Sequence, residues 1–200
     1  MIKGFLLDYD GVVTLPNHGD NASWLLAQAM GVSHDEAREL WVDFWPKYIR
    51  GKVEEKELWE AAEAKVGRKI PMDQRNIWLT WENLQPLPEM RELVKALRRA
   101  GYPVGLLTNI TSLAEADVSA HGGYDGFDFL VQSCNVGFAK PEPEIYKLAM
   151  QYFPNAKAEE IVFVDDREKN LVPAQAMGMP TVLATSPQQI IADITKLAGL

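Results

Sequence analysis

Cysteine is almost missing from this chain: Cys134 is the only one in 200 residues. No disulfide can form within the chain, and a cysteine-rich metal centre is excluded. That usage suits a reducing compartment, and the expected location is cytoplasmic. Positive charge is also scarce. With 20 basic against 28 acidic residues the net charge is -8, which argues against a surface built to neutralise nucleic-acid phosphates or anionic lipid. The expected partners therefore include no nucleic acid and no membrane, and an anionic substrate must be met by local chemistry such as a metal. Long apolar runs are absent too. The apolar start, Met1 to Leu7, runs straight into Asp8 and Asp10 and is too short for a secretory signal or a membrane span. There is no internal repeat or low-complexity tract, and a hydrophobic share of 47% is that of a globular protein.

What is present is an alternation of short apolar runs with longer helical patterns, the mark of an α/β protein. Five runs are strand candidates: Ile2–Leu7, Pro103–Leu107, Phe127–Val131, Ile161–Val164 and Thr181–Ala184. Each is apolar throughout, as parallel strands buried on both faces are. Between them, Glu89–Ala100 has apolar residues at helical spacing and stops at Gly101. Ser112 with Glu115 three places on has the form of a capping box. Glu142–Phe153 and Asn170–Met177 are the other core helices, with Pro173 expected in a first turn, where it is tolerated.

The stretch from Leu15 to Pro86 differs. It has no strand run, holds all six tryptophans, and reads as four helices near Asn21–Met30, Ser33–Ile49, Glu54–Val66 and Asp73–Asn83. Pro16 and Pro86-Leu87-Pro88 are natural hinges. The expected organisation is a core of residues 1–15 and 87–200 and a helical cap of residues 16–86, inserted after the first strand. The tryptophans are expected mainly as helix-packing residues, with one or two facing a cleft.

Four strand ends carry reactive groups. Asp8-Tyr9-Asp10-Gly11 closes the first; alternation along an extended segment points Asp8 and Asp10 the same way. By itself this is equally a polar strand end with an Asp-Gly turn. The second ends in Thr108-Asn109 before a capped helix, where a hydroxyl and backbone amides can hold phosphate oxygens, although a threonine there is commonly only a cap. After the third comes Lys140-Pro141; a lone lysine is ordinarily a solvated charge, but the proline fixes the backbone beside it. The fourth delivers Asp165-Asp166, two adjacent acids that repel if turned inward and that a divalent cation would neutralise, or else a helix N-terminus stabilised by acids. In an open parallel sheet ligands bind beyond the carboxyl ends of the strands, so these groups should converge.

These four motifs, in this order, resemble those of the haloacid dehalogenase-like hydrolase superfamily. The run Gly137-Phe138-Ala139-Lys140-Pro141-Glu142-Pro143-Glu144-Ile145-Tyr146, with Asn170 following the Asp-Asp pair, is similar to the sugar-phosphatase branch and to the phosphatase domain of soluble epoxide hydrolase. The resemblance implies a Rossmann-like, mainly parallel sheet flanked by helices, and a magnesium-dependent phosphatase acting on a small-molecule phosphate ester. It implies Asp8 as a nucleophile that becomes a phospho-aspartate, Asp10 as acid and base, and Thr108, Asn109 and Lys140 on the phosphoryl group. It implies Mg2+ held by Asp8, the Asp10 backbone carbonyl and the acidic pair, with Asp166 the direct ligand and Asp165 either a ligand or behind it.

A phosphomutase would share these residues and differ only in what meets the phospho-aspartate. A dehalogenase would not need Asp10 as an acid. A receiver-like signalling module fits the motif order badly, and a non-catalytic protein would not keep every reactive group. In the helical stretch Lys47, Arg50, Lys52, Arg68 and Lys69 are candidates for an anionic leaving group. His18, His34 and His121 lie outside the motifs and are given no role.

Overall fold

The computed structural model describes residues 1–16 and 22–200. The expected helix start at Asn21, and His18, lie outside the described residues. The five expected strands all form: β1 (Gly4–Leu7), β2 (Val104–Thr108), β3 (Phe129–Gln132), β4 (Ile161–Asp165) and β5 (Thr181–Leu183). They make one parallel sheet in the order β3-β2-β1-β4-β5. The chain first builds outward from β1 to one edge and then returns to build from β1 to the other. The crevice at that reversal is where α/β sheets take ligands.

Alternation along each strand divides the core in two. Phe5, Leu7, Leu106, Val162 and Val164 face one layer, which is closed by α4 (Pro88–Arg99), α5 (Ser112–Ala120) and α9 (Pro187–Ala198). Leu6, Leu107, Ile161 and Phe163 face the other, covered by α7 (Pro143–Met150) and α8 (Glu168–Ala176); a single turn, α6 (Ser133–Val136), follows β3. Burial on both faces is why these strands read as unbroken apolar runs.

The stretch between β1 and α4 contains α1 (Ala22–Met30), α2 (His34–Tyr48) and α3 (Glu55–Val66). Their apolar faces form a separate cluster around Leu26, Met30, Phe44, Leu58 and Trp59. The stretch leaves and rejoins the core at one place, where the Leu87 N–H donates to the Val13 carbonyl at 2.9 Å.

The expected fourth helix, Asp73–Asn83, does not form. A 3-10 turn at Met72–Gln74 is followed by irregular chain. Tertiary partners take the groups that a helix would have organised. Arg75 reaches Glu63 at 2.6 Å, the Trp78 indole donates to Glu55 at 2.6 Å, and the Trp81 N–H donates to Asp117 at 2.6 Å. The capping box is also displaced: Thr111, not Ser112, is the N-cap, accepting from the Ala114 N–H at 3.3 Å. Pro173 lies inside α8, not in its first turn, because the helix already begins at Glu168. α9, capped by Ser186 with Pro187 at its first position, was not among the expected elements.

Candidate active site

Register sets the site. Leu7 pairs with Leu106 on one side and Val164 on the other, so the next residues of β1 and β4, Asp8 and Asp165, come side by side. Asp8 is anchored at both ends: its N–H donates to the Val164 carbonyl at 2.9 Å, and its Oδ1 accepts from the Tyr9 N–H at 2.7 Å. The Tyr9 side chain turns into the core, where its hydroxyl donates to the Leu84 carbonyl at 2.9 Å. Asp8 and Asp10 instead both line one cleft of about 530 Å3, although the chain bends at Tyr9 and turns at Asp10 instead of running on extended, so the turn and not strand alternation brings Asp10 there.

Lys140 joins the two strand ends. Its Nζ lies 2.7 Å from Asp8 Oδ1 and 2.6 Å from Asp165 Oδ2, and the residue is only 4% exposed. The loop carrying it is held by Asn109. The Asn109 amide donates to the Lys140 carbonyl and its Oδ1 accepts the Lys140 N–H, both at 2.8 Å. The Lys140-Pro141 peptide is cis. Asp165 is wholly buried and fully engaged: Oδ2 meets Lys140, while Oδ1 accepts from the Arg167 N–H and the Asn170 amide, both at 2.9 Å. Thr108, at the end of β2, is buried and lines an adjoining lobe with Asn109 and Asp10.

Asp166 is different. Its Oδ1 is buried without a hydrogen-bond partner, a costly state for a carboxylate oxygen unless something else meets it. Gly11, at φ 79°, lets the chain pass close by; a Cβ there would come within 2.6 Å of Asp166 Oδ2. Asp8, Asp165 and Asp166 each bring one oxygen within 4.8 Å of the others.

The electrostatics are those of too few positive charges. Burial pushes the Asp8 carboxyl up to about 8, against the pull of Lys140. Burial, then Asp165, raises Asp166. Burial alone would lower Lys140, but Asp165 and Asp8 outweigh it and hold the ammonium above the ordinary lysine range. One lysine cannot neutralise three clustered carboxylates. An all-oxygen donor set with one bare buried oxygen fits a hard divalent cation such as magnesium.

All the residues expected at the site are therefore brought together at the strand ends. Asn170, on α8, supports Asp165 and was noted only as part of the motif run. Of the five candidate cations, Arg50 lines the cleft, with Trp41 and Trp45 from the same helical stretch. The other four line neither lobe. Lys47 pairs with Asp43, Lys69 pairs with Glu63, and Arg68 caps the Met30 carbonyl. Arg50 also grips Glu142 at 2.7 Å, and Glu142 in turn accepts the Ala139 N–H at 2.8 Å. Trp59 is packed as expected, but Trp24 is 59% exposed and stacks on His34.

A family profile described as haloacid dehalogenase-like hydrolase matches residues 2–178. The chain belongs to this family. It is therefore a hydrolase by descent, and its parallel sheet flanked by helices is shared with solved structures of the family, one of which superposes with a TM-score of 0.77. It is similar to the bifunctional epoxide hydrolase 2 of Rattus norvegicus, 35% identical over an alignment 120 residues long that covers 55% of this chain and 21% of that one. The chain thus spans about a fifth of the length of that enzyme. It is also similar to a sesquiterpene phosphatase of Aspergillus oryzae, 28% identical over 78% of this chain and 79% of the relative. Among solved structures, a family enzyme of Bacteroides thetaiotaomicron in complex with magnesium and inorganic phosphate superposes with a TM-score of 0.73, at 22% identity, over 93% of this chain and 96% of the other. Among the described residues no helix is long and apolar enough to cross a membrane.

Proposed function

We propose that the protein is a magnesium-dependent phosphatase of small phosphate monoesters, working through a phospho-aspartate on Asp8. The observation that carries this reading is the buried chain Asp8–Lys140–Asp165 with the Asp166 carboxylate beside it, one of whose oxygens is buried without a hydrogen-bond partner. The phosphatase relative from Aspergillus oryzae supports it.

Asp8 attacks phosphorus, the bond from phosphorus to the leaving oxygen breaks, and an acyl phosphate forms on the carboxylate. Asp10, in the same cleft, gives a proton to the departing oxygen and takes one from the water that then hydrolyses the intermediate. Phosphate leaves and Asp8 is restored. Lys140 meets the negative charge of the phosphoryl group, while the Thr108 hydroxyl and the Asn109 backbone N–H take its equatorial oxygens. Asp165 positions Lys140 and the start of α8. Magnesium, held by Asp8, Asp166 and the Asp10 backbone carbonyl, supplies charge neutralisation at the transferring group when bound.

Residues 16–86 act as a cap over this core, with Trp41, Trp45 and Arg50 among the side chains it brings to the cleft. Closing such a cap excludes water and contacts the leaving group. The net charge of -8 suits a small anionic substrate rather than nucleic acid or a membrane, and the single cysteine suits the cytoplasm. The test is magnesium-dependent phosphate release over a panel of monoesters, with Asp8→Asn alongside. Turnover abolished in a folded Asp8→Asn protein is the expected result. Label passing from Asp8 to a second substrate hydroxyl, with none in free phosphate, would make the protein a phosphomutase instead.

A further inference from the structure

Beside the cleft that holds Asp8 and Lys140 lies a second lobe, also of about 530 Å3. The two adjoin, since Asp10, Trp45, Ile49, Leu79 and Asn109 line both. Asp10 therefore stands at the junction. A phosphoryl group held at Asp8 and Lys140 presents its leaving oxygen towards Asp10, so the rest of the leaving group must run either along the cleft or into the lobe.

The two routes differ in charge. The cleft has Arg50, Arg167 and Lys169 on its walls. Among the described residues the lobe has no lysine or arginine, and its charged side chains are Asp10 and Glu82. Leu25, Ile77, Trp78 and Leu84 make its apolar wall, and Leu25 is 39% exposed. A second phosphate or a carboxylate placed in this lobe would meet two acids and no cation, an unfavourable encounter away from bulk water. An apolar chain would bury its surface against leucine, isoleucine and tryptophan, which is what ligand pockets of this size do best.

We infer that the alcohol released from phosphorus, protonated by Asp10 as it departs, is uncharged and largely apolar, carrying an alkyl chain that fills this second lobe. The inference rests on the phosphatase reading of Asp8 and Asp10, and it adds Leu25, Ile77 and Trp78 as the residues that set specificity.

The experiment uses n-alkyl phosphates from ethyl to decyl, each below its critical micelle concentration, with 3-phosphoglycerate as a doubly anionic comparison. The leaving oxygen is chemically alike along the alkyl series, so differences report the lobe. The expected kcat/KM rises by about fourfold per added methylene until the lobe is filled. Leu25→Arg and Asn76→Arg, both at positions on the lobe wall, should each flatten that rise and favour 3-phosphoglycerate. A flat alkyl series, or 3-phosphoglycerate preferred by the unaltered protein, would overturn the inference and leave the phosphatase reading standing. If no ester is hydrolysed, that reading falls, and binding decides the lobe. Trp45 and Trp78 line it, so tryptophan emission should still respond to decyl phosphate at far lower concentration than to ethyl phosphate, and Leu25→Arg should abolish the difference. Equal responses to the two would overturn the apolar assignment as well.

Discussion

Replacing Lys140 by methionine should unfold the site before it merely slows it. The lysine is 4% exposed and sits 2.7 Å from Asp8 and 2.6 Å from Asp165. Methionine keeps the length of the side chain and its apolar stem, so packing is nearly conserved and the loss is electrostatic. Removing one partner of a buried ion pair leaves an uncompensated charge and costs about 3–5 kcal/mol. Here two carboxylates are stranded, but burial already raises the Asp8 carboxyl, which can take up a proton, so the same range is the reasonable expectation. For a chain of this size that corresponds to a fall in Tm on the order of 6–20 °C. Urea denaturation at neutral pH without added metal measures it. A cycle with Asp165→Asn separates the pair from the rest: the double variant should be less destabilised than the sum of the two singles, because the asparagine carries no charge to strand. A Lys140→Met cost under about 1 kcal/mol, or strict additivity with Asp165→Asn, would refute the claim that Lys140 is the charge holding β1 and β4 together at their ends.

Other outcomes follow from the same geometry. Asn109→Ala removes both 2.8 Å bonds to the Lys140 backbone and leaves two buried polar groups without partners, so it should cost about 1–3 kcal/mol and lower kcat by loosening Lys140; stopped-assay kinetics beside urea denaturation check both. Asp10→Asn should reduce turnover by about 10²–10⁴-fold, most for substrates with poor leaving groups, and esters of acidic phenols should recover much of it. The hydrogen bonds from Arg50, more than any other influence, hold Glu142 below the ordinary glutamate range. Its folded pKa is depressed, so the stabilisation is present above the unfolded pKa and is lost as pH falls through the folded value. Because both partners are partly exposed, the contribution is about 0.2–1 kcal/mol. The stability gap between the unaltered protein and Glu142→Gln should therefore close on acidification, and a gap that is constant with pH would contradict it.

Much of the fold was legible because burial on two faces writes itself plainly. Ile161-Val162-Phe163-Val164 could only be an interior strand or a buried helix segment, and the acids after it fixed its end. The acids at the site were legible for the same reason, since Asp8 and Asp166 follow directly on strands, Asp165 ends one and Asp10 lies in the turn just beyond. What could not be read was anything settled by partners distant in the chain. Residues 73–83 have helix-compatible composition, yet Glu55, Glu63 and Asp117 take their polar groups. Likewise, nothing local says that the Asn109 side chain clasps a backbone 31 residues away, or that Asp165 turns from its neighbour to Lys140 and Asn170. Arg50 could not be distinguished from four other cations, because its direction depends on how the end of α2 docks against the core. Gly51 packs there against the Cys134 carbonyl, where any Cβ would overlap. α9 carried ordinary signals, a Ser186-Pro187 start and Ile190 with Ile194 on one face, and was missed without a physical reason.

The central claim is that Asp8 takes the phosphoryl group. Acid quenching of the protein during turnover of a phosphate monoester with magnesium, followed by peptide mapping, tests it most directly. A phosphoryl adduct on the peptide containing Asp8, absent from Asp8→Asn, is the predicted result. Undiminished turnover in Asp8→Asn, or an adduct on some other residue, would contradict it.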